Sequence, residues 1–96
     1  MDQVLMQINE IALKYPLKKI ILFGSRARGE HRETSDYDLA VFSNQITAEQ
    51  KSQFAADIED IRTLHKIDLV WMGNRIDEKL SKNIIREGVV IYESIQ

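Results

Sequence analysis

Apolar residues Val4, Leu5, Ile8, Ile11 and Ala12 recur at helical spacing, and Pro16 follows soon after them, so the pattern predicts an amphipathic helix over Asp2 to Lys14. Lys19 to Phe23 then reads as a short strand. It stops abruptly at Gly24-Ser25-Arg26-Ala27-Arg28-Gly29, where two glycines bracket a small polar and basic segment suited to a tight turn. After a polar stretch from Glu30 to Ser35, the segment Asp36 to Phe42 alternates and then becomes apolar, the pattern of a second strand covered partly on both faces. Thr47 and Gln50 form a capping-box pattern, and Phe54, Ile58, Ile61 and Leu64 continue at helical spacing, which predicts a long helix through about Leu64. Lys66 to Trp71 reads as a third strand. Asn74 is placed to cap a helix carrying Ile76, Leu80 and Ile84 and ended by Gly88, and Val89 to Tyr92 reads as a fourth strand.

Helices alternating with strands predict an α/β (α+β) layer structure, a mixed and mostly four-stranded sheet packed by helices; the short Glu30 to Ser35 connection also permits an antiparallel pair. With 96 residues, a single domain over 1–96 with one core is expected. The chain has no cysteine, so a metal would be held by oxygen or imidazole, and a reducing cytoplasm suits it. No apolar run approaches the roughly 18 residues of a membrane span, and the N-terminus lacks the zones of a secretory signal, so a cytoplasmic location with no membrane partner is expected. A formal net charge of -2 leaves no basic footprint for long nucleic acid, and none is expected as a partner.

The candidate chemistry lies in the carboxylates and the glycine-serine turn. Asp36 and Asp38 stand two apart on a strand, so their side chains project from one face while Tyr37 points the other way. Two such carboxylates repel unless a proton or cation is shared between them. Asp68 interrupts the apolar run of the third strand, where burial of an unpaired charge is costly, and it too needs a cationic partner. If the second and third strands are neighbours, three carboxylates meet and can hold two metal ions; Mg²⁺ favours such oxygen donors and completes its shell with substrate phosphates. Gly24 lets a phosphate approach the backbone, Ser25 and the turn amides can donate to its oxygens, and Arg26 and Arg28 can add charge-assisted contacts to a nucleoside triphosphate. Each feature alone is ordinary: such a turn is usually only a turn, an Asp-x-Asp pair is more often solvated, Asp68 can be satisfied by a Lys or Arg, and the arginines can form a solvated face. Their combination and local context single them out. His31 and His65 lack a second ligand at metal spacing and are assigned surface or helix-end roles, while Trp71 and Tyr92 are assigned to core or partner surface.

Gly24-Ser25-Arg26-Ala27-Arg28-Gly29 followed by Ser35-Asp36-Tyr37-Asp38-Leu39-Ala40-Val41, with Asp68 in Ile-Asp-Leu-Val, resembles the DNA polymerase β-like nucleotidyltransferase superfamily and its minimal bacterial domains. The closing segment Ile84 to Tyr92 fits as well. The resemblance implies a polymerase β-like palm fold, metal-binding and catalytic roles for Asp36, Asp38 and Asp68, two Mg²⁺ ions, and nucleotide binding by Gly24 and Ser25. It further implies ATP as substrate and an antitoxin that transfers AMP to a tyrosine of a HEPN-domain toxin, in hetero-complex with that partner. The alternatives are a non-catalytic module that masks its partner, or a small-molecule, aminoglycoside-like nucleotidyltransferase. Apolar surface on the terminal helices would serve either a hetero-complex or a homodimer.

Overall fold

In the computed structural model, residues 2–27, 29, 36–73 and 78–94 are described. Helix α1 spans Gln3–Ala12, strand β1 Leu17–Phe23, strand β2 Tyr37–Ser43, helix α2 Ala48–Glu59, strand β3 Ile67–Trp71, helix α3 Glu78–Glu87 and strand β4 Val89–Glu93. The expected caps of the first two helices form. Asp2 accepts from the Val4 amide at 2.7 Å, and Thr47 and Gln50 bond reciprocally at 3.0 Å, satisfying amides that the first helical turn leaves without partners. The Asn74 cap and Ile76 lie outside the described residues.

Helix α2 ends earlier than its periodicity predicts. The chain leaves the helix at Asp60; Ile61 still turns inward, but Leu64 is fully exposed. The apolar spacing continues past the last helical turn because Ile61 is buried from a turn, with its amide bonded to the Ile58 carbonyl at 3.1 Å. Strand β1 begins two residues sooner than expected, since Leu17, just after Pro16, is already buried against the helices.

The four strands lie in the order β3-β2-β1-β4. β2 and β4 each pair antiparallel with β1, whereas β3 runs parallel to β2, so the sheet is mixed as expected. Period-two alternation divides its faces. Tyr37, Leu39 and Val41 of β2 enter the larger core with Ile8 and Ala12 of α1 and Phe54 and Ile58 of α2. On the other face Ala40 and Ile21 pack with Ile84 of α3. Complete burial of Phe54, Ile8 and Leu39 stabilises the first layer by about 1.5–3 kcal/mol each. Gly88 closes α3 by donating to the Ile84 carbonyl at 2.8 Å, and a Cβ there would overlap Ile21 and that carbonyl, so the turn into β4 requires glycine.

Candidate active site

The parallel pairing of β2 with β3 sets Asp38 directly beside Asp68, as register partners. Side chains of paired residues emerge on the same side of a sheet, so the Asp38 and Asp68 carboxylates share the face of α3. Asp36 is exposed just ahead of β2. The three groups interact electrostatically: burial pushes the Asp38 carboxyl above its usual range, and the negative charges of Asp68 and then Asp36 push it further.

Asp68 is less enclosed than its apolar neighbours suggested. β3 is an edge strand whose residues are all only partly buried, and the Asp68 side chain keeps 41% of its exposure. Lys66, two residues earlier on the same face, brings Nζ to 3.5 Å from Asp68 Oδ1 and supplies the positive partner anticipated for it. Among the described residues, no three acidic or imidazole side chains close around a common point. The donor set nevertheless suits a hard divalent cation, being all oxygen and held under mutual repulsion, with room in the shell for phosphate oxygens.

The glycine-serine turn adjoins these carboxylates. Phe23 is paired with Asp38, so the chain leaves β1 beside the Asp38 side chain, and Gly24 takes φ +79°, a conformation that L side chains rarely adopt. A Cβ on Gly24 would lie 2.5 Å from Asp38 Oδ2. The absence of that atom lets the carboxylate and the turn approach each other. Ser25 follows, partly buried.

Arg26 does not join them. Its guanidinium stacks 3.9 Å from the centroid of the Tyr37 ring, on the face opposite the carboxylates, and only 8% of the side chain is exposed. Such desolvated stacking contributes about 2 kcal/mol. Nη2 lies 3.4 Å from His65 Nδ1, and Nη1 lies 4.0 Å from Asp2 Oδ2. Asp2 also accepts from the Tyr37 hydroxyl at 2.5 Å. Burial and then that bond to the Asp2 carboxylate hold the Tyr37 phenol up at about 12. Arg26, expected at the triphosphate, is turned here to the core side of the strand, where Tyr37 offers the cation a flat face. His65, assigned to a surface or helix-end role, lies partly buried beyond the end of α2 and meets the Tyr37 ring edge-on at 5.7 Å. Arg28 lies outside the described residues. Trp71 packs edge-on against Phe54 at 5.7 Å, in keeping with a core role. No helix among the described residues is long and apolar enough to cross a membrane.

A cleft of about 370 Å³ opens between the end of α2 and the start of β3, with Glu59, Thr63, His65, Lys66 and Asp68 among its walls. It was not foreseen from sequence, because it depends on the chain leaving α2 at Asp60.

Comparison with known proteins accords with this arrangement. The family model described as polymerase beta, nucleotidyltransferase, matches residues 6–96. A Methanocaldococcus jannaschii protein, provisionally named a protein adenylyltransferase, is 28% identical over 94 residues, spanning 88% of this chain and 90% of its own. Another from the same organism, with the same provisional name, is 38% identical over 71 residues, spanning 74% of this chain and 64% of its own. Among solved structures, a toxin-antitoxin with AMP-PNP superposes with a TM-score of 0.70 at 21% identity, over 96% of this chain and 75% of that one. A nucleotidyltransferase from Sulfolobus solfataricus, so assigned provisionally, gives 0.57 at 22% identity, over 93% and 76%. At those identities the structural likeness speaks for the fold. The family match over nearly the whole chain, on a sheet that brings Asp38 and Asp68 together beside Gly24, makes this protein a member of the polymerase β nucleotidyltransferase family and an enzyme of the nucleotidyltransferase class.

Proposed function

We propose that the protein transfers AMP from ATP to a hydroxyl, that of a tyrosine, on a HEPN-domain toxin, and so acts as that toxin's antitoxin in the cytoplasm. The observation carrying this reading is the in-register pairing of Asp38 with Asp68, with the Asp36 charge acting on Asp38 and the Gly24 turn against Asp38. Two Mg²⁺ ions held by these three carboxylates would supply charge stabilisation at the attacking and departing oxygens. Gly24 and Ser25 bind the distal phosphates through backbone amides and the hydroxyl, aligning the α-phosphorus for in-line attack in which the acceptor oxygen bonds to it as the bond to the departing pyrophosphate breaks. Asp68 borders both the carboxylate group and the cleft beside Lys66, so an acceptor hydroxyl entering there would meet a base able to take its proton. The provisional names of the M. jannaschii relatives favour a protein acceptor, and the AMP-PNP bound in a structurally similar toxin-antitoxin favours ATP. Ile85 on α3 and Val89 and Val90 on β4 are large apolar side chains left exposed, and they offer a surface for a partner protein.

The test is intact-mass spectrometry of the co-purified partner after incubation with the protein, ATP and Mg²⁺. Added AMP masses are expected with the wild type and none with Asp38→Ala, which should remain folded because the substitution removes charge repulsion. A partner of unchanged mass that is still inhibited, with inhibition surviving Asp38→Ala, would replace transfer with masking.

A further inference from the structure

The Arg26 guanidinium, on a side chain only 8% exposed, joins four separate segments behind the carboxylate face. Arg26 follows Ser25 in the phosphate turn; the Tyr37 ring on which it stacks lies between Asp36 and Asp38; His65, 3.4 Å from Nη2, leads into the strand of Asp68; and Asp2 caps α1. The segments are also tied directly. The Tyr37 amide donates to the Lys66 carbonyl at 2.9 Å, and the Tyr37 hydroxyl donates to Asp2. Since guanidinium has no acceptor, His65 Nδ1 accepts from it, which leaves the imidazole proton on Nε2. Ala27, the next residue of the turn, packs against the α1 and α2 core and keeps the turn seated on that side.

We infer that Arg26 is a positioning residue, one that never touches the nucleotide but sets the Ser25 turn and the three carboxylates in register by stacking on Tyr37 and bonding to His65. Its charge is not the whole of what the site uses. A planar fork can lie flat on the ring and donate sideways at once, and a lysine ammonium, a compact point charge, cannot do both. This separates the inference from the phosphate-contact role that the sequence suggests, because losing a contact to phosphate weakens ATP binding and raises KM, whereas a lost positioning contact lowers kcat.

The inference rests on the transferase reading for its kinetic arm only. In that arm Arg26→Lys and Arg26→Ala both lower kcat by about tenfold or more, since misplacement near 1 Å costs about a hundredfold. KM for ATP stays within about threefold, the pattern of an interaction expressed in the transition state alone. Tyr37→Leu reproduces the loss, and combining it with Arg26→Ala adds little more, as expected of residues acting through one contact. The second arm needs no turnover. Hydrogen exchange of the Tyr37 amide in the protein without nucleotide accelerates in both Arg26 variants, while amides inside α2 keep their wild-type rates. If Arg26→Ala does not fold, His65→Ala, which removes the acceptor but leaves the stack, decides the matter with a smaller drop in kcat and a smaller rise in Tyr37 exchange. Activity restored by Arg26→Lys, a selective rise in KM for ATP, or unchanged Tyr37 exchange overturns the inference. A wild-type enzyme that transfers nothing overturns the proposed function instead, and the exchange arm still decides the role of Arg26.

Discussion

Gly24→Ala tests the close approach on which the site depends. At φ +79° an L residue costs about 1–2 kcal/mol in backbone strain. The new methyl would also stand 2.5 Å from Asp38 Oδ2, where ordinary contact starts at 3.4 Å, so the carboxylate must withdraw by about 0.9 Å or the turn must lift by as much. The backbone term alone lowers the melting temperature by about 4–16 °C for a domain of this size. The displacement of Asp38 acts on catalysis, where an error near 1 Å lowers turnover by about a hundredfold. Thermal unfolding without metal measures the first effect and steady-state AMP transfer the second. A double-mutant cycle separates them: in an Asp38→Ala background the steric part disappears, so Gly24→Ala should cost measurably less stability there than in the wild type. Equal costs in both backgrounds, or an active Gly24→Ala enzyme, would refute the claim that this missing Cβ sets the position of the carboxylate.

Asp38→Asn should stabilise the metal-free protein at neutral pH. Its folded carboxyl is raised by burial and by Asp68 and Asp36, so the wild type holds the stability of the protonated form below the unfolded value of 3.8 and loses it as pH rises through the higher folded pKa. The stability difference between wild type and variant, followed by urea unfolding against pH, should therefore open as pH rises from about 3.8 and close in acid; a difference that stays flat would contradict it. Thr47→Ala should cost about 1 kcal/mol by removing the cap of α2, yet leave transfer unchanged at temperatures below unfolding, as differential scanning calorimetry and the AMP-transfer assay would record.

The nearness of Asp36 and Asp38 was legible because they stand two apart in the chain, and the Asp36 charge does act on Asp38 although Asp36 lies just ahead of the strand. That Asp68 joins them depends on β2 and β3 being parallel neighbours in one particular register, and nothing near Asp68 in sequence encodes this. Its surroundings are more open than the pattern suggests for a related reason, since an apolar run reads as buried while an edge strand leaves it half open. The direction of Arg26 was hidden too. A cation after a glycine-serine turn suggests phosphate, and only the backbone turn at Gly24, with the Tyr37 ring waiting on the core side, sends it the other way. Tyr37 itself held the clue, as an aromatic forced inward between two aspartates. The overrun of α2 to Leu64 has a different cause: spacing registers which residues turn inward, not whether the backbone between them is still helical.

Helix α3 lies against β1 and shelters one half of its side of the sheet, while Asp38 and Asp68 stand on the other half, towards the rim. The acidic cluster and the packing of this face are in this way housed apart. The half packed by Ile84 can therefore repack without displacing the acids, and the acids can be exchanged without emptying that core.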